Sequence, residues 1–298
     1  MVSESIASIK SVKIVYYSGT GNTKKTADIF QSTLKASGAD VATFALRDGD
    51  LIPEDKADLL LLVYAVHALN APKLVYAWIK SLPPVNGEKV AVISVSAGGE
   101  ISPNTACRVA CIRRLEKKGY DIIYEKMLIM PSNGFIATPK PLAVMLLEVL
   151  PTKIKLIVDE LQKGSRFRKT PPLLDRILSS IGELEKHGAI FFGKWCIKRS
   201  KTCNGCEWCA EHCPAKNIKM QNNKPLFMNK CHMCLNCLYG CPKNALSVRL
   251  MKFILIKEGY SLKILEDQVP NAQPINVEEL AAGYLWKGVR DYLLNASV

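Results

Sequence analysis

The chain has 298 residues, 48% hydrophobic and 22% charged, with 40 Lys and Arg against 27 Asp and Glu for a formal charge of +13. That length predicts about two domains with substantial apolar cores, and the composition excludes disordered, collagenous and membrane-embedded classes. The longest apolar run, residues 59–66, is strand-sized and well short of the roughly 20 residues a bilayer span requires.

The first ten residues carry no basic segment followed by an apolar run and no small-residue cleavage site, so no secretory leader and no membrane span are expected. The expected location is the reducing cytoplasm, where 11 cysteines argue for metal rather than for disulfides. Short β-branched apolar runs at 12–17, 41–46, 59–66, 90–95 and 122–130 predict strands. Between and after them, apolar residues at three- and four-residue spacing predict helices at 24–36, 73–82, 104–118 and 142–162. Strand and helix in alternation predict a doubly wound parallel sheet, α/β in class, covered on both faces.

The first strand runs directly into Ser18-Gly19-Thr20-Gly21-Asn22-Thr23 and then a helix. Glycines permit a tight turn, freed amides at the helix start face an anion, and the hydroxyls of Ser18, Thr20 and Thr23 add donors. The loop lacks both the GK[ST] of nucleoside triphosphate sites and GxGxxG, so it suits a single phosphate monoester, as in flavin mononucleotide (FMN). A plain structural turn is the competing reading. The position after strand one and the alternation over residues 1–163 weigh against it. Ile14, Val15, Tyr16, Ser18, Gly21, Thr23 and Ala27 resemble the N-terminal signature of the flavodoxin family, departing at Phe30, where a branched aliphatic is usual.

The resemblance implies that the FMN ring lies over the carboxyl ends of the strands. The expected neighbours are the loops 66–72 and 96–100 and the turn Pro131-Ser132-Asn133, which supply His67, Asn70, Ser96, Ala97, Gly98, Gly99 and Asn133. The amides of Gly98 and Gly99 are expected near the polar edge of the ring. Tyr64 and His67 are the nearest stacking or proton-delivering candidates, Tyr64 facing the core by default. Many flavodoxins sandwich the ring between aromatics, but neither loop here holds Phe, Trp or Tyr. One ring face is therefore expected to be open to a partner, a substrate or the chain's own cysteine domain.

Residues 164–195 read as a linker: basic at 166–169, then Pro171 and Pro172, a helix candidate at 173–186, and the apolar Phe191, Phe192 and Trp195. Residues 196–249 form a second, smaller domain. In it Cys203-x2-Cys206-x2-Cys209-x3-Cys213-Pro214 returns 28 positions later as Cys231-x2-Cys234-x2-Cys237-x3-Cys241-Pro242. Soft thiolates at this spacing suit iron–sulfur clusters. Structural zinc is the competing reading of any CxxC pair, but zinc ribbons separate their pairs by a longer spacer. Both runs closely resemble the bacterial two-cluster ferredoxin, an α+β fold. The resemblance implies crossed ligation: Cys203, Cys206, Cys209 and Cys241 on one 4Fe-4S cluster, Cys231, Cys234, Cys237 and Cys213 on the other. His212 and His232, in the spacers, are candidates to tune a cluster by hydrogen bonding. Cys107, Cys111 and Cys196 are expected to be bystanders, the first two on one helix face. The tail, 250–298, offers a strand candidate at 252–257 and a helical end at 277–294 anchored by Tyr284 and Trp286, packed on a domain and without chemistry of its own.

Together the parts resemble the flavodoxin–ferredoxin fusion proteins of anaerobes. The implied function is an electron-transfer protein relaying electrons between two 4Fe-4S clusters and FMN, with no separate catalytic residue. The alternative is a flavin-dependent reductase of a small organic acceptor such as a quinone, fed by the clusters. The charge is +4 over residues 1–163, +3 over 164–195, +7 over 196–249 and −1 over 250–298. Bound clusters and a flavin phosphate would lower the total to about +7. Part of the excess thus reads as compensation for bound anions, and the rest suits an acidic ferredoxin- or flavodoxin-type partner rather than nucleic acid, since no nucleic-acid recognition fold accompanies it.

Overall fold

In the computed structural model the described residues are 9–182 and 185–295. Residues 1–8, on which the leader expectation largely rests, and residues 183–184 of the linker helix lie outside them.

Five strands, β1 (Ser11–Tyr17), β2 (Asp40–Ala45), β3 (Leu59–Ala65), β4 (Lys89–Ser96) and β5 (Asp121–Ile129), form one parallel sheet in the order β2-β1-β3-β4-β5. Helices α1 (Asn22–Ala36), α2 (Lys73–Ser81), α3 (Val109–Glu116) and α4 (Lys140–Gln162) cover its two faces. This order is the flavodoxin-like doubly wound arrangement, with its switch point between β1 and β3. Alternate residues of each strand serve opposite cores. Ile14, Leu61, Ile93 and Leu128 pack under α1 and α4, whereas Val15, Leu62 and Val92 pack under α2 and α3 with Tyr17 and Tyr64. A strand with no wet face has no reason for polar alternation, which is why β3 is an unbroken apolar run, four Leu and a Val followed by Tyr64 and Ala65.

The expected helix at 104–118 starts late. Asn104–Ala106 form a single 3-10 turn and α3 begins at Val109, because Asn104 donates Nδ2 to Ser96 Oγ and Gly99 O and Arg108 is drawn into a buried ion network. Cys107 therefore precedes the helix that carries Cys111; both are buried, as is Cys196.

The segment read as a linker packs on the α/β unit. Phe167 bridges to Tyr124 of β5, and α5 (Leu173–Gly182) rests against the Asn104–Ala106 turn and α3. After α6 (Glu185–Phe191) come two small antiparallel pairs: β6 (Ile197–Arg199) with β9 (Leu246–Val248), and β7 (Ile218–Gln221) with β8 (Lys224–Phe227). The four-residue helices α7 (Trp208–Glu211) and α8 (Asn236–Tyr239) repeat the 28-residue offset, each entered through a left-handed residue, Glu207 and Leu235. Phe192 from one flank and Ile254 from the other complete the core of this unit.

The expected strand at 252–257 is absent. Ile254 closes a single 3-10 turn and inserts into the small core, and the backbone bonds go elsewhere: Phe135 N donates to Ile254 O at 2.8 Å and Ile256 N to Tyr239 Oη at 2.9 Å. The expected helix at 277–294 is two pieces, α10 (Val277–Leu280) and α11 (Lys287–Leu294), with Gly283 at φ 79° between them. With α9 (Leu262–Glu266) they wrap α4: Leu262 and Leu265 join the α1–α4 core, and Val289 packs on Ile129 and Leu146. Trp286 is a partly buried anchor, but Tyr284 is 64% exposed and holds on through its hydroxyl to Ser102 O. Among the described residues no helix is long and apolar enough to cross a membrane.

Candidate functional site

The turn from β1 into α1 is a cradle of donors. Gly21 sits at φ 104°, a left-handed conformation that glycine adopts at little cost, and turns the chain into the helix. Ser18 Oγ and Thr23 Oγ1 are buried without a hydrogen-bond partner. A buried hydroxyl left unpaired costs on the order of 1–3 kcal/mol, so two in one loop mark where an acceptor belongs. Thr20 and Asn22 are engaged elsewhere. Thr20 Oγ1 accepts from Asn133 Nδ2 at 2.8 Å, and Asn22 donates Nδ2 to Pro131 O while its carbonyl accepts from the Tyr260 hydroxyl. A loop offering hydroxyls at the start of a 15-residue helix fits a phosphate monoester.

Above this loop opens a cleft of about 260 Å³. Of the expected flavin-site residues, Ser18, Gly19, Thr20, Asn22, Thr23, His67, Ser96, Ala97, Gly98 and Asn133 line it. Val66, Met130 and Pro131 add apolar wall, as a planar aromatic ligand requires. Four expected residues stand outside. Gly21 serves the turn. Tyr64 is fully buried beneath the sheet, its hydroxyl donating to Cys107 O at 3.3 Å. Asn70 is held between the linker and α2, where Ser179 Oγ of α5 and Tyr76 Oη of α2 donate to its Oδ1. Gly99 is pressed against Gly288 of α11.

His67 stacks edge-on against Tyr17, and Tyr17 also meets His232 of the cysteine unit at 5.9 Å. Burial pushes His67 down to about 4, with His232 nearby acting in the same direction, so the imidazole at the cleft is neutral at physiological pH. The loop after β4 is held from behind. Arg108, 1% exposed, donates Nε to Glu125 Oε2 at 2.9 Å and Nη1 to Ser94 Oγ at 2.9 Å, and it pairs with Glu100, which also takes Lys169. Sequence patterning gives no hint of this network, because its five members, Ser94, Glu100, Arg108, Glu125 and Lys169, span 75 positions and several separate stretches of chain.

The far side of the cleft belongs to the cysteine unit: Met233, Cys234, Leu235 and Ile254 line it, together with Phe135 from the turn after β5. Nothing local in the sequence marks these residues as cleft-forming; the contact joins positions about two hundred residues apart.

The eight motif cysteines divide between two cavities. Cys203, Cys206, Cys209 and Cys241 line an outer one, and Cys213, Cys231, Cys234 and Cys237 an inner one. This is the grouping that crossed ligation calls for. Backbone amides donate to sulfur in matching places, Asn217 N to Cys213 Sγ and Ala245 N to Cys241 Sγ, each at 3.3 Å, and Met233 N to Cys231 Sγ at 3.3 Å. Burial pushes the Cys209 thiol up to about 11 and Cys234 up to about 12, with Cys237 also raised. A metal cation would favour the thiolate form of such buried thiols, and four cysteines in each cavity match the donor number of an iron–sulfur centre. Cys206 is exposed, whereas Cys234 is shared between the inner cavity and the cleft. His212 keeps its ring on Trp208, stacked at 4.2 Å.

No protein family model matches the chain, and no curated protein matches it. Among solved structures it is similar to the two-electron reduced flavodoxin of Megasphaera elsdenii, at 27% identity over 40% of this chain and 85% of that one, with a TM-score of 0.34. A Streptococcus pneumonia TIGR4 flavodoxin gives 19% identity over 51% and 97%, with a TM-score of 0.38. A flavodoxin from the domain Archaea gives 14% over 51% and 98%, with a TM-score of 0.35.

Proposed function

We propose that the chain is an electron-transfer protein that relays electrons between two 4Fe-4S clusters and a bound FMN, coupling one-electron and two-electron carriers in anaerobic metabolism. When bound, each cluster would exchange one electron and the flavin one or two. The observation that carries this reading is that Cys234, of the inner cysteine ring, lines the same cleft as Ser18 and Thr23. The protein's part is to hold and insulate. Ser18 and Thr23 would donate to the flavin phosphate, while Val66, Met130 and Pro131 keep water from the ring. The amides of Asn217, Met233 and Ala245 would donate to ligand sulfurs and raise the cluster potentials. Four motif cysteines line each of the two cavities, and the repeated three-residue spacing within each motif favours a polynuclear centre over a zinc ribbon, whose CxxC pairs stand further apart.

Charge placement supports an acidic ferredoxin- or flavodoxin-type partner on the outer ring. Lys216 and Lys230 are spent on Asp50 and Asp48 of the sheet unit. Lys198, Lys201, Lys219, Lys224 and Lys243, on the segments around the outer ring, are exposed and form no ion pair among the described residues. Reduction of a small acceptor at the ring is the weaker reading, because Met233, Cys234 and Leu235 close one side of the cleft.

The test is a reductive titration of anaerobically purified protein with reduced ferredoxin or a low-potential dye, followed by visible absorbance and paramagnetic resonance. Both cluster signals and flavin bleaching are expected. Clusters that fill while the flavin stays oxidised would sink the relay, and acceptor-specific turnover above that of free flavin would favour the reductase.

A further inference from the structure

Helix α5 packs inside out. Its polar residues face the protein: Asp175 and Ser179 are 1% and 3% exposed, with Ser102 Oγ donating to Asp175 at 2.7 Å and Ser179 Oγ donating to Leu69 O at 3.1 Å. Its apolar residues face solvent, with Leu173 70%, Leu174 63%, Ile177 50% and Ile181 57% exposed. Residues 173, 177 and 181 recur every four positions and so form one stripe. Further on, Phe191 is 46% and Trp195 59% exposed, with Lys194 Nζ 5.2 Å from the Trp195 ring. The anchors at Asp175 and Ser179 fix the rotation of the helix, and the side chains that ordinarily drive packing are left in water.

We propose that this face docks on an anionic membrane surface, with α5 lying in the plane of the interface. Charge selects this occupant over a second copy of the chain: a positive net charge on each copy, +13 for the polypeptide and about +7 with cofactors loaded, opposes self-association and attracts anionic headgroups. Residues 164–195 hold six Lys and Arg against three Asp and Glu, and one of the acids, Asp175, is turned inward. Arg166, Arg168 and Lys169 are paired with Asp121, Glu116 and Glu100. Arg176 and Lys194 form no ion pair among the described residues, and they stand beside Ile177 and Trp195 in the chain. Leu and Ile on one face, with Trp and unpaired cations close by, is the make-up of a helix that lies in a headgroup layer. The surface is independent of the redox reading and stands whether or not the relay does.

The test is flotation of the cofactor-loaded protein with vesicles of phosphatidylcholine alone and of phosphatidylcholine mixed with phosphatidylglycerol. Partition onto the mixed vesicles is expected, weakened by salt, with a blue shift in tryptophan emission that Trp195→Phe removes. The triple variant Leu173→Ser, Ile177→Ser, Ile181→Ser should lower partition at least about tenfold while circular dichroism and cofactor absorbance stay those of the parent. A parent that stays off the mixed vesicles, or a folded triple variant that binds as the parent does, overturns the proposal. So does a dimer in sedimentation equilibrium that the triple variant abolishes, which would assign the face to a second copy.

Discussion

Gly19 and Cys234 touch so closely that a Cβ on Gly19 would stand 2.7 Å from the Cβ of Cys234 and 3.0 Å from its carbonyl oxygen. The phosphate loop and the inner cysteine loop thus share one contact, and neither side of it is the end of a flexible side chain. Forcing a methyl between them costs about 1–3 kcal/mol in typical overpacked sites. Gly19→Ala should therefore impair both sites at once, weakening FMN binding about tenfold and lowering iron content. Gly188→Ala, where nothing lies within 4 Å, is the control and should change neither. Flavin fluorescence titration and iron analysis of the two variants check this.

The unpaired hydroxyls give a sharper test of the ligand's chemistry. Hydrogen bonds to a charged acceptor are worth about 1.5–3 kcal/mol, so Ser18→Ala or Thr23→Ala should each weaken FMN by roughly tenfold or more. Riboflavin lacks the phosphate and should bind parent and variants alike. Each variant also removes a buried orphan, so its apoprotein should be no less stable than the parent. Equal loss of FMN and riboflavin affinity would mean that the hydroxyls serve the loop and not a phosphate.

Legibility in the sequence followed how local each constraint is. Strands covered on both faces write themselves as apolar runs, so β3, β4 and β5 were readable to within one or two residues, and the half-exposed edge strand β2 showed through its Val and Phe. The grouping of the motif cysteines around two cavities was suggested by the sequence because six of the eight sit within two seven-residue stretches, 203–209 and 231–237. Tertiary satisfaction hid the rest. Asn70 has the chemistry to meet a flavin, yet Ser179 from the linker claims it. Met233 and Leu235 look like spacers until the two units meet over the cleft. The stripe on α5 has the periodicity of a core-facing helix, and only Asp175 and Ser179 in their bonded places reveal that it faces out.

Crossed ligation has a signature that stoichiometry alone lacks. If Cys213 belongs to the inner ring, Cys213→Ser should leave the same surviving cluster as Cys234→Ser, and Cys241→Ser the same as Cys206→Ser. Each surviving spectrum would be matched by paramagnetic resonance on reduced, anaerobically prepared protein. Local ligation predicts the opposite pairing, with Cys213→Ser resembling Cys206→Ser.

The ion network behind the β4 loop ties flavin binding to stability. Arg108 is almost wholly enclosed, and its removal as Arg108→Met leaves Glu125 buried and Glu100 largely enclosed without their shared cation. Breaking a buried pair from one side costs about 3–5 kcal/mol, so a large fall in Tm is expected. Burial by itself would raise the Glu100 carboxyl, but Arg108 and then Lys169 outweigh it and hold it below the usual carboxylate range. A carboxyl depressed in the folded state stabilises above its unfolded value and loses that contribution as pH falls through the folded one. The parent should therefore shed stability below about pH 4.5, and Glu100→Gln should flatten that acid limb while lowering stability near neutrality. Because Glu100 directly follows Ala97, Gly98 and Gly99, both variants should also weaken FMN. Thermal melts across pH, paired with flavin titration at neutrality, measure the two effects together. An unchanged melt for Arg108→Met would remove the network from any role in shaping the cleft.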